Sequence, residues 1–194
     1  MLLRHGSWLY RAGGVDEANS TSPSVKYASL GEGGILGAWQ RTAPLPKGIR
    51  HGAAFAAGNL VYVIGGQSDS GISPDIFYTF INPDGELGYG TDRHWERNAR
   101  ALPEPRTGAA WALHDGWIFL IGGKTSAGTT DSIIRARIWQ DGQIGQWYGS
   151  RQTLTGARWG AATAMRGGHP EYFAFMTERG QILRSWRMPK DHLS

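Results

Sequence analysis

One pentapeptide pattern constrains this chain more than anything else in it. Arg-x-Gly-Ala-Ala occurs at Arg50 to Ala54, at Arg106 to Ala110 and at Arg158 to Ala162. The first copy leads into Ala53-Ala54-Phe55-Ala56, a Gly58-Asn59 pair, and a second apolar run, Leu60 to Ile64, that ends on Gly65-Gly66. The second copy repeats the plan as far as Gly122-Gly123. Gly-Asn accepts the positive φ of a two-residue hairpin turn, so the stretch reads as a β-hairpin. A lone hairpin is marginal in water, so its recurrence is what carries information.

Further markers recur in the same order. Trp39 precedes Leu45-Pro46, Trp95 precedes Leu102-Pro103, and Trp147 precedes Leu154. Double glycines stand at Gly13-Gly14, Gly65-Gly66 and Gly122-Gly123. A turn of the form Asp-Gly-x-Leu/Ile-Gly spans Asp84 to Gly88 and Asp141 to Gly145, with a weaker cousin at Gly34 to Gly37. The period, about 52–57 residues, lies in the range of solenoids, propellers and arrays. Each period supplies four strands. The first is the Gly-Ala-Ala run, the second ends on the double glycine, the third covers Asp75 to Asn82 or Ser132 to Trp139, and the fourth carries the tryptophan. The expected fold is therefore all-β, a β-propeller of four-stranded antiparallel blades. Small Gly-Ala-Ala suits an innermost strand. A tryptophan suits the wider space between blades, where its N–H can find a carbonyl.

On these residues the chain resembles the kelch-type β-propeller family. The carriers are the double glycines, the fourth-strand tryptophans, Tyr27 and Tyr78 at matching distances after Gly14 and Gly66, and an Asp-Gly-x-Leu-Gly turn like that of bacterial kelch-like repeats. Arg135 stands where a third tyrosine is expected, and Leu154-Thr155 replaces Leu-Pro. The resemblance implies one propeller domain over residues 1–194, with blades near 4–46, 50–103, 106–155 and 158–188. Two of these are complete. The start, Arg4 to Gly14, reads as a blade without its first strand, and the end, after Arg158, lacks its glycine-rich loop. Two abbreviated blades predict apolar surface covered by a partner or a second chain.

Composition narrows the chemistry. The 194 residues contain no cysteine, which excludes disulfides, thiolate metal sites and cysteine nucleophiles and leaves the compartment open. No apolar run approaches the roughly 18 residues of a membrane span. Met1-Leu2-Leu3 is followed by charge, without the apolar centre of about 7–15 residues that a secretory leader has. The net charge of +4 comes mostly from arginines spread along the chain, somewhat denser from Arg151 to Lys190, with no nucleic-acid-binding module.

The loops after the double glycines, Val15 to Ser24, Gln67 to Asp75 and Lys124 to Asp131, are expected to gather on one face with Arg50, Arg106 and Arg158. Asp69, Asp75 and Asp131 beside those arginines offer a polar site for a ligand or an acidic peptide. Their recurrence argues equally for arginines that hydrogen-bond loop carbonyls and cap strand ends. Trp159 occupies a slot held elsewhere by His51 and Thr107, and next to Arg158 it is a candidate partner anchor. The histidines, His5, His51, His94, His114, His169 and His192, show no metal-ligand spacing, and no catalytic residue, metal or cofactor is assigned. Gly13, Gly14, Gly65, Gly66, Gly122, Gly123, Trp39, Trp95 and Trp147 are read as structural. The function expected is a non-catalytic interaction or scaffold subunit of a larger assembly. The alternative is a carbohydrate-binding or sugar-modifying propeller centred on Asp69, Asp131 and Arg106.

Overall fold

The computed structural model describes residues 1–89 and 94–161, together with the backbone of the strands Phe173–Met176 and Ile182–Trp186. It divides into two compact units, Met1–Thr107 and Gly108–Ser194. The described residues contain strands, turns and one 3-10 turn at Glu32–Gly34, and no α-helix. No helix among them is long and apolar enough to cross a membrane.

The first unit holds two four-stranded antiparallel sheets. The first sheet is β1 (Leu2–His5), β2 (Trp8–Ala12), β3 (Val25–Ser29) and β4 (Gln40–Arg41), paired in that order. The second uses β5 (Ala53–Ala57) and β6 (Leu60–Ile64), then passes through a small hairpin of β7 (Gln67–Ser68) and β8 (Gly71–Ile72). It returns as β9 (Ile76–Phe80) and β10 (Glu96–Arg97), in the order β5-β6-β9-β10. The second unit repeats this plan with β11 (Ala110–His114), β12 (Trp117–Ile121), the hairpin β13 (Lys124–Thr125) and β14 (Gly128–Thr129), β15 (Ile133–Ile138) and β16 (Ile144–Gly149). Strands β17 (Phe173–Met176) and β18 (Ile182–Trp186) then form an antiparallel pair. The remainder of the region expected as a fourth blade, with His169 and His192, lies outside the described residues.

The first sheet corrects one expectation. Its first strand is present: Leu2–His5 pairs with β2 along its whole length, from Leu2 opposite Arg11 to His5 opposite Trp8. Gly6-Ser7, with Gly6 at φ 54°, makes the turn that Gly58-Asn59 makes in the second sheet. Arg4-His5-Gly6 therefore does not correspond to Arg50-His51-Gly52, and the sequence match between them is coincidental. Leu-Leu-Arg-His carries no Gly-Ala-Ala signature, which is why the strand escapes a motif-based reading.

The core of the first unit is formed by one face from each of its sheets. Leu3, Tyr10, Ala12, Val25 and Tyr27 of the first meet Ala54, Val63, Phe77, Ile81, Leu87 and Trp95 of the second. Two features lock this contact. The Asp84-Gly85 turn lies flat on the Trp8 indole, where a Cβ on Gly85 would come within 2.4 Å of the ring. The Gly85 carbonyl then accepts the Tyr10 hydroxyl at 2.9 Å, and burial pushes that phenol's pKa strongly upward, with Tyr27 and Asp84 adding to the shift. The Asp-Gly turn of one repeat is thus the seat for the aromatic residues of the repeat before it. In the second unit Ala112, Phe119, Ile121, Ile133 and Leu154 form the corresponding core.

The tyrosine position of the repeat also keeps its register. Tyr27 stands opposite Tyr10, Tyr78 opposite Tyr62 and Arg135 opposite Phe119. The first two pairs stack, with centroids 6.2 and 5.8 Å apart. Arg135 instead lays its guanidinium over the Trp117 ring, 5.1 Å from the centroid. A planar cation stacks on an aromatic face much as a ring does, so arginine is tolerated where tyrosine is the rule.

Candidate functional site

The double glycines explain how each loop cluster is built. In every copy the first N–H donates within its own repeat: Gly13 to Ser24 O at 2.9 Å, Gly65 to Asp75 O at 2.9 Å, Gly122 to Ser132 O at 3.0 Å. The second donates to the segment that opens the next repeat: Gly14 to Ile49 O at 2.9 Å, Gly66 to Arg106 O at 2.9 Å, Gly123 to Arg158 O at 2.6 Å. All six glycines have positive φ. A Cβ on Gly13, Gly65 or Gly122 would stand 2.1–2.6 Å from those same carbonyls. Only glycine permits both the backbone conformation and the approach.

These contacts show what Arg50, Arg106 and Arg158 contribute. The peptide groups of Arg106 and Arg158 share a role that Ile49, not Arg50, plays at the first junction. The N–H and C=O of Arg50 pair with Gln67, and the carbonyls of Arg106 and Arg158 receive the glycine amides. Their side chains diverge. Arg106 is 2 % exposed, and its Nη2 donates to Glu104 at 3.2 Å. Burial lowers its pKa, against the opposing pull of Glu104. Arg50 is half-buried, and Arg158 donates to the neighbouring Ala157 carbonyl.

The aspartates are also committed. Asp69 accepts the Thr21 N–H at 2.9 Å and so ties the loop of the first repeat to that of the second. Asp75, 7 % exposed, is held by Lys47 at 2.5 Å, by Arg97 and by the Ser73 hydroxyl at 3.1 Å. Burial alone would push its carboxyl up, but the hydrogen bonds from Lys47, Arg97 and Ser73 and the Lys47 charge outweigh that and hold it below the usual carboxylate range. Beside it lies a cavity of about 360 Å³ lined by Asp75, Ile76, Arg97, Asn98, Ala99 and Ala101. Lys47 and Arg97 are 28 and 22 residues from Asp75, and no local sequence signal links them. Asp131 is not the counterpart of Asp75. Ser132 holds that position: the two loops are equally long, and Asp131 aligns with Pro74. Trp159 lies half-buried, with a ring carbon 3.0 Å from the Cβ that Gly108 lacks. No group of His, Asp and Glu among the described residues could hold a metal ion.

The three fourth-strand tryptophans share a place in the sheet and differ in surroundings. Trp39 and Trp95 immediately precede β4 and β10, and Trp147 lies in β16. Trp95 is buried, and its Nε1 donates to the Ala43 carbonyl at 3.0 Å, as expected for a wedge between sheets. Trp39 is 40 % exposed. It lies on the face of the first sheet that turns away from the core, as does Leu36, which bridges to Leu30 just as Leu87 bridges to Ile81. Leu36 and Trp39 thus occupy the positions that Leu87 and Trp95 hold in the second sheet, where both are covered. Among the described residues, five of the seven exposed large hydrophobic side chains, Leu2, Val15, Ile35, Leu36 and Trp39, belong to the first repeat. No sequence marker reports this outer face, which is defined by the pairing of Leu2–His5 with β2.

No family model and no curated protein matches the chain. Among solved structures it is similar to one described as "Structure of YjhT", with a TM-score of 0.56 and 18% identity over 76% of this chain and 44% of that one. The chain therefore spans less than half the length of that structure, and at this identity the likeness concerns the fold alone.

Proposed function

We infer that the chain is a run of kelch-like propeller blades serving as a non-catalytic protein-interaction scaffold, with the outer face of its first sheet turned to the partner. One observation carries this reading. Leu36 and Trp39 are apolar at the positions whose counterparts, Leu87 and Trp95, are buried under a neighbouring sheet, and here they stand exposed. Large apolar side chains left exposed at such positions mark interaction sites. The repeated glycine-to-carbonyl contacts and the four-stranded sheets support the blade assignment.

The test is photocrosslinking in the source cell, with benzoylphenylalanine placed at Ile35 and, as a control, at the exposed Arg151. The expected result is an adduct of discrete mass from position 35 and none from position 151. Equal labelling at both positions, or no adduct at 35, would overturn the reading.

A further inference from the structure

The outer face of the first sheet has a second property that its motifs do not reveal. Leu2 stands opposite Arg11, Arg11 opposite Lys26, and Lys26 opposite Arg41, one unbroken row across all four strands. Strands lie about 4.8 Å apart, so three cations fall within about 10 Å. Alternation places Arg4 on the same face, and Tyr10, Ala12, Val25 and Tyr27 on the opposite, core-forming one. Arg4, Arg11 and Arg41 are exposed and Lys26 is half-buried. No ion pair among the described residues involves Arg11, Lys26 or Arg41.

The row is unusual for its position. In the second sheet the same row reads Ala54, Val63, Phe77, Arg97; the first three are buried against the first sheet, and Arg97 is neutralised by Asp75. In the second unit it reads Trp111, Leu120, Ile134, Gly149. Like charges directly opposite one another destabilise a sheet, so three in succession with no carboxylate between them weaken the isolated fold. The face keeps apolar residues at its margins, Leu2, Leu36 and Trp39, and places cations at its centre.

We propose that this face docks a protein segment in which a cluster of carboxylates, flanked by apolar side chains, meets Arg11, Lys26 and Arg41 while Leu2 and Trp39 receive the apolar flanks. The inference rests on the reading of this face as a partner surface and adds the partner's chemistry. Charge complementarity selects the occupant. Among the described residues, the core-type faces Leu3-Tyr10-Ala12 and Ala112-Phe119-Ile121 are buried within their own units and carry no carboxylate, so a second copy offers no complement through them. A single exposed tryptophan also provides no series of stacking platforms for nucleic-acid bases.

The test uses the whole chain and a fluorescein-labelled decapeptide of alternating Glu and Leu. Its Gln-for-Glu analogue, oligoglutamate and a 20-nucleotide oligo-dT serve as comparisons. Anisotropy at low salt should show saturable binding of the Glu-Leu peptide. Binding should weaken at least about tenfold with the Gln analogue, with oligoglutamate, and with the Arg11→Ser/Lys26→Ser variant. Lys26→Thr should also raise the thermal midpoint by about 1–4 °C while weakening binding, which a purely structural lysine would not do. Three results would overturn the proposal: no binding of the Glu-Leu peptide, equal binding by the variants, or tighter binding of oligo-dT through the same residues. An Ile35 crosslink without peptide binding would keep the partner surface and remove its acidic occupant; no crosslink would remove the surface itself.

Discussion

The indole N–H of Trp95 donates to the carbonyl of Ala43, 3.0 Å away, and so joins the end of the second sheet to the last segment of the first. Neither atom is accessible to water as a substitute, because both residues are buried. Trp95→Phe keeps most of the packing and leaves the carbonyl unsatisfied, at an expected cost of about 1–3 kcal/mol. Trp95→Ala adds a cavity and should cost about 3–5 kcal/mol. Urea unfolding followed by fluorescence measures both. A loss below 0.5 kcal/mol for Trp95→Phe, on the scale of about 1 kcal/mol for a typical net hydrogen bond, would show that the bond contributes nothing.

Glycine positions with similar φ should respond very differently to alanine. Gly58 and Gly65 have φ of 56° and 61°. Around Gly58 a new Cβ would meet nothing within 4 Å, while at Gly65 it would stand 2.6 Å from the Arg106 carbonyl. Gly58→Ala should cost about 1 kcal/mol, the penalty of the left-handed conformation alone. Gly65→Ala must also break the bond from Gly66 to Arg106 and should exceed 3 kcal/mol, on the scale of about 1–3 kcal/mol for each strained residue and each unsatisfied buried group. Chemical denaturation of the two variants compares them directly, and equal losses would refute the carbonyl-approach argument.

Asp75 predicts an acid-dependent contribution to stability. Its folded-state pKa lies below that of the unfolded chain, so its ion pairs with Lys47 and Arg97 contribute fully above the unfolded value. The contribution fades as pH falls below about 4, through the folded value. Asp75→Asn should lower stability near pH 7 by about 1–3 kcal/mol, a figure held down by the solvent exposure of both cationic partners. The variant should also lose less than the wild type between pH 4 and pH 2.5, the range just below the usual aspartate pKa of about 3.9. Stability curves that run parallel through that range would exclude this assignment.

The repeat was legible in the sequence because its markers impose local backbone geometry. The double glycines and the Asp-Gly turn recur where a positive φ recurs, whereas of the strand-four tryptophans Trp95 is buried against a carbonyl and Trp39 stands 40 % exposed. What stayed hidden depends on register. Leu2–His5 lacks the Gly-Ala-Ala pattern yet pairs along its full length with β2. Arg11, Lys26 and Arg41 are separated in sequence by two connecting segments, and only strand pairing makes them neighbours. At Arg106 and Arg158 the atoms that recur in these contacts are backbone carbonyls, which any residue type supplies.

The forward reach of the second glycine in each pair also decides where this chain can be cut. A fragment ending at Leu102-Pro103, the natural stop by motif, would keep every strand of the second sheet but orphan the amide of Gly66, whose acceptor is Arg106. Extending the fragment by four residues restores that acceptor and reaches Thr107, the last residue of the first compact unit. Dissection of this protein should therefore follow the hydrogen bonds across each junction and place the scissors inside the next repeat's opening segment.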